Sequence, residues 1–175
     1  MQPKKSDKNT PKSCITWLVF LCFCSAGSFM LIMLSNYIDM YYFMQEAERA
    51  KQSEAKQYVS LMNRAQQAYF EEKSAFATSV DALGLGIKTE TTNYKYSVST
   101  TKQAAFNYGV SKNEKILSYV GGVFVIRVKQ NNAQNEIRTE SILCSAHKPG
   151  TIPPLFPRLQ NSKLVCETGT TEVIK

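Results

Sequence analysis

A nucleophilic active site needs a base, most often histidine, and in 175 residues His147 is the one imidazole on offer. It stands among Pro149, Pro153, Pro154 and Pro157. A Ser-His-Asp arrangement around it is geometrically allowed, but a surface histidine in a loop is the simpler account. Glu71 and Glu72 are adjacent, and adjacent side chains on a helix point in different directions, so they make no acid–base pair. A single histidine also excludes a His-rich metal centre. Cys22 and Cys24 sit in an apolar run where packing explains their spacing better than a metal does. Gly84-Leu85-Gly86 lacks the third glycine and the preceding strand of a dinucleotide fold. The sequence therefore leads to no catalytic or metal residues, no cofactor, no small-molecule substrate and no enzyme. Nor is nucleic acid an expected partner. After residue 38 there are 17 Lys and Arg against 13 Asp and Glu, and these charges are scattered, with no basic patch interleaved with aromatics.

The elements that would position such residues begin with a segment that has no charge at all. The chain carries 21 Lys and Arg and 14 Asp and Glu, and none of them falls within residues 13–38. From Cys14 and Ile15 through Trp17 to Leu34 the run is almost wholly apolar, and a helix of that length matches the ~30 Å hydrocarbon core of a bilayer. Ile38 closes the expected transmembrane helix, residues 14–38. Lys4, Lys5, Lys8 and Lys12 precede it, which predicts a basic cytoplasmic tail over residues 1–13 and a C-terminal body in the periplasm or outside the cell. Trp17 at one end and Tyr37, Tyr41 and Tyr42 at the other suit the two water interfaces. A cleaved signal is the rival, with Cys24-Ser25-Ala26 before Gly27 as its site, but the apolar residues after that site favour an uncleaved anchor held in membrane lipid.

Residues 39–78 contain no proline or glycine and predict an amphipathic extension of that helix. Tyr58, Leu61, Met62, Ala65 and Tyr69 recur at three- and four-residue intervals, the stripe expected to pack helix on sheet. Residues 45–57 have little stripe beyond alanines and are expected in water or against another subunit. Residues 79–175 predict an antiparallel sheet, with strands at 94–99, 104–110, 118–129 and 137–146 joined by polar turns. Gly121-Gly122 suggests a bend or bulge. Beyond His147 no period of either kind is visible, and an irregular loop is expected. Cys144 and Cys166 bracket it. Outside the cytoplasm they are expected to be joined, and they remain free thiols if the topology is reversed.

A long helix, apolar and then amphipathic, followed by a small antiparallel sheet and a disulfide-closed C-terminal loop resembles a type IV pilin or pseudopilin. Asn63-Arg64-Ala65-Gln66-Gln67-Ala68-Tyr69, with Phe76-Ala77, Leu83-Gly84-Leu85-Gly86-Ile87, residues 91–97 and the Cys144, Pro149-Gly150, Cys166 pattern, resembles the cyanobacterial type IV pilin-like G/H family over about residues 45–170. That resemblance implies an α+β pilin-like fold and partners among other pilin-like, pilus or secretion proteins. Prepilins of this kind carry Gly-Phe-Thr-Leu-x-Glu, cut after the glycine. Alignment on Ile15 puts Cys14 at the glycine and Val19 at the glutamate, so the processing positions have diverged. The expected function is a noncatalytic, single-pass pilin-like protein of pilus, secretion or envelope assembly. The alternative is a membrane-tethered sensory or ligand-binding module that joins no fibre.

Overall fold

The computed structural model describes residues 12–129 and 135–173, with side chains from Met30 onward except at positions 32, 128, 129 and 135. Two compact units divide it, residues 1–46 and 47–175. In the first, the described residues belong to helix α1 (Lys12–Lys73). Met30, Leu31, Met33, Leu34, Tyr37, Ile38 and Met40 to Met44 are all exposed, and the rings of Tyr41 and Tyr42 stand edge to face at 6.2 Å. Among the described residues no helix is long and apolar enough to cross a membrane. Residues 1–11 of the expected tail and the side chains of Cys14, Ile15, Trp17 and Val19 lie outside the described residues, and residues 12 and 13, expected in the tail, already belong to α1.

The second unit is built from the remainder of α1, a 3-10 turn (Asp81–Leu83) and seven strands: β1 (Tyr94–Thr100), β2 (Ala104–Ser111), β3 (Tyr119–Lys129), β4 (Asn135–Ala146), β5 (Arg158–Gln160), β6 (Lys163–Val165) and β7 (Thr170–Glu172). An antiparallel sheet has the order β1-β2-β3-β4-β7, and β5 and β6 form a separate hairpin. Helix α1 stops at Lys73, short of the expected residue 78. Ser74 takes a left-handed conformation (φ 54°), and its N–H donates to the Phe70 carbonyl at 2.8 Å, closing the last turn.

The sheet is buried on both faces, because side chains alternate and each face has its own cover. Ala55, Val59 and Met62 of α1 pack on Tyr94, Tyr96, Ile116 and Tyr119 on one face. On the other, Phe106, Val120, Phe124, Ile142 and Cys144 lie under the C-terminal segment. Three expectations are corrected here. The tail is not wholly irregular: it contains the β5–β6 hairpin, and β7 pairs Thr170 to Glu172 with Cys144 to Ala146. The later part of residues 45–57 does not stand clear of the sheet: Ala55 is fully buried, Gln52 accepts the Leu117 N–H at 3.4 Å, and Glu54 accepts the Tyr96 hydroxyl at 3.2 Å. Gly121 and Gly122 form no bulge, since both pair in unbroken register with β2 and β4. β7 covers only the end of β4, so the rest of that strand's outer side carries no neighbouring strand among the described residues.

Candidate functional site

The most elaborated chemistry in the second unit is a set of side-chain amides between α1 and the sheet. Asn63 is buried. Its Nδ2 donates to the Ile142 carbonyl of β4 at 3.0 Å, and its Oδ1 accepts from Asn107 Nδ2 of β2 at 2.8 Å. The strand between them is β3, and the residue level with Asn107 there is Gly121. A methyl group on Gly121 would lie 2.1 Å from Asn63 Oδ1, so only glycine lets the amide cross β3 to reach its neighbours. Asn107 Oδ1 is the one buried side-chain polar atom without a partner among the described residues.

One turn further on, Gln66 is fully buried and pairs with a backbone amide in both directions: Nε2 donates to the Ala77 carbonyl at 2.8 Å and Oε1 accepts the Ala77 N–H at 2.9 Å. This fixes the chain just after the helix stop, where Phe76 stacks on Phe70 at 4.9 Å. Gln67 Nε2 donates to the Thr139 carbonyl of β4 at 3.1 Å. Each buried amide would leave a costly orphan if its partner were removed, so the helix is held in one register and not merely against an oily face.

Burial pushes the hydroxyls of Tyr94 and Tyr96 well above the usual tyrosine range, and the nearby Glu54 carboxylate adds to both. They therefore stay protonated at any ordinary pH. Tyr94 donates to the Leu117 carbonyl at 2.9 Å.

Of the expected packing residues, Met62 is fully buried, Tyr58 is half-buried with its ring 5.3 Å from Tyr96, and Ala65 and Tyr69 are half-buried. Leu61 is a correction, standing 41 % exposed. The inward stripe runs Ala55, Val59, Met62, Asn63, Gln66, so its axis is rotated away from Leu61 toward two polar residues that hydropathy does not count. Had those amides been scored as core, their three- and four-residue spacing would have revealed the true phase.

Leu61 instead lines an open groove of about 800 Å³, with Lys56, Gln57, Ser60 and Arg64 on the helix side and Ser141, Leu143 and Glu172 on the sheet side. Cys144 and Cys166 form a disulfide with 5.8 Å between Cα atoms. Next to Gly121, Gly122 faces the opposite side, where an added methyl would meet the Pro157 ring at 2.5 Å. The buried Pro157 sits in that notch, and Phe156 lies 4.7 Å from Phe106. His147 is exposed, its N–H donates to the Gly169 carbonyl, and its imidazole makes no hydrogen bond among the described residues.

Compared with known proteins, residues 52–167 match the family described as type IV pilin-like G and H. No curated protein and no solved structure matches the chain.

Proposed function

The chain belongs to the type IV pilin-like G and H family, and from that premise we propose that it is a noncatalytic, membrane-anchored protein that packs with other pilin-like, pilus or secretion components at the cell envelope. The observation that carries this reading is the use made of Asn63, Gln66 and Gln67. These three amides of the helix are committed to fixing it on the sheet, which is the work expected of a structural subunit.

In this reading residues 14–38 are the single transmembrane anchor and the exposed tyrosines at 37, 41 and 42 mark its outer interface. The N-terminus lies in the cytoplasm. The sheet unit is then periplasmic or extracellular, a placement supported by the Cys144–Cys166 bond, since disulfides persist in oxidising compartments. The groove beside Leu61 favours a second reading, a tethered ligand-binding module with the same fold.

Recovery of the full chain from its native membrane in mild detergent separates the two. Pilus or secretion subunits should co-purify, and intact mass should show an N-terminus at Met1 or Gln2. A start at Ile15 would make it a processed fibre subunit, and a start at Gly27 would overturn the anchor. A monomer with no such companions that binds a small molecule, and loses it on Arg64→Ala, would replace the structural reading with the sensory one.

A further inference from the structure

The C-terminal segment between the two disulfide cysteines has an unusual surface. Ile152 is 80 % exposed, and Leu155, Phe156 and Leu159 are each exposed by two fifths or more, four large apolar side chains within eight residues. Monomeric proteins keep contiguous apolar surface small, so such a cluster marks a contact. The cluster is also rigidly presented. Pro153, Pro154 and Pro157 fix φ, Pro157 is wedged into the Gly122 notch, and the disulfide ties Cys166 to β4. The β5–β6 hairpin closes on a two-residue turn, Asn161 and Ser162, both with positive φ. Ordering the backbone of this segment for a contact therefore costs little further entropy.

The charge within the segment's own sequence has one sign. Residues 147–166 include Lys148, Arg158 and Lys163 and not one Asp or Glu. Arg158 pairs with Glu167 at 3.0 Å, just past the segment, while Lys148 and Lys163 are exposed and form no ion pair among the described residues. Exposed aliphatic side chains in a segment that also carries two unpaired ammonium groups match one chemistry well, the interface of an anionic bilayer, where side chains enter the acyl boundary and lysines meet lipid phosphates. A nucleic acid backbone would satisfy the lysines and leave Ile152, Leu155 and Leu159 in water.

We propose that this segment is a docking surface for an anionic lipid bilayer, separate from the helix anchor. The test must silence that anchor, so the full chain is reconstituted in phosphatidylcholine nanodiscs and floated with vesicles of phosphatidylcholine containing about 30 % phosphatidylglycerol. Co-flotation is expected with these vesicles and not with pure phosphatidylcholine, and it should disappear on adding ~0.5 M salt. Each of Lys148→Gln and Lys163→Gln should weaken it about fivefold. The exposed pair Ile152→Ser with Leu155→Ser should abolish it with the disulfide intact, while Lys112→Gln, in the β2–β3 connection, changes nothing. Equal flotation with neutral vesicles, insensitivity to the serine pair, or nanodiscs that associate with one another through this segment without vesicles would each overturn the proposal. So would capture of an oligonucleotide that the serine pair leaves unchanged.

Discussion

The two faces of the sheet are covered in opposite ways. Helix α1 is fastened by amides, Asn63 to Asn107 and Ile142, Gln66 to Ala77, Gln67 to Thr139. The C-terminal segment is fastened by a disulfide, a buried proline and packed rings, Phe106 edge-on to Phe124 and tilted against Phe156. Two adjacent glycines of β3 admit both covers, Gly121 under the helix and Gly122 under the proline. The difference follows from what each cover brings. A helix satisfies its own backbone and arrives with a long apolar stripe, so its remaining need is register, which directional hydrogen bonds supply. A segment of short strands has little core of its own and gains most from a covalent closure of its unfolded ensemble.

The contrast can be broken most sharply at Gly121. Gly121→Ala drives a methyl into Asn63 and should destabilise the full chain in detergent by about 4 kcal/mol, the overpacking cost plus the disturbed amide bonds. Because the clash is with one side chain, adding Asn63→Ala should recover part of that loss. A double variant no more stable than Gly121→Ala alone would show that the helix face is not organised around this amide.

The loop face should fail differently. Cys144→Ser removes a link across 22 residues and should cost about 3 kcal/mol, with protease cleavage appearing between residues 147 and 166. In reductant, parent and variant should become equally sensitive. Equal sensitivity without reductant would mean that the aromatic stack alone holds the segment.

The smallest effect belongs to alkaline pH and again to the helix face. Tyr94 and Tyr96 have pKa values raised in the folded state above the unfolded value near 10. The unfolded chain therefore loses those protons first, and stability is full below pH ~10 and declines above it, by roughly 1 kcal/mol per pH unit for each tyrosine. Tyrosinate absorbance should rise together with loss of helix. Titration of these two tyrosines near pH 10 in the intact fold would mean that α1 does not keep them buried.

Helix-forming composition, strand-like runs and the polar turns between them make α1 and the first four strands legible to within a few residues, because each is long enough to stand out from its flanks. β5, β6 and β7 have three residues apiece, and three residues contain no recognisable alternation. The helix stop was hidden because Ser74 takes a conformation usually given to glycine. The expected packing stripe contains neither Asn63 nor Gln66, since polar residues betray a buried role only when their distant partners, Ile142 and Ala77, are in place. Gly121 and Gly122 are recognisable as special, but of the bend or bulge they suggest the bulge is not formed. A bulge and a two-sided close approach leave the same mark in a sequence.

The outer side of β4, which beyond β7 carries no neighbouring strand among the described residues, has a bearing on handling the protein. A strand with open backbone groups is a template for another strand, yet Glu136, Arg138 and Glu140 alternate along this one, and Arg138 is tied to Glu140 at 2.9 Å. Concentrated samples would owe their clarity to those three charges. Neutralising them should turn the solution cloudy well before the fold itself melts.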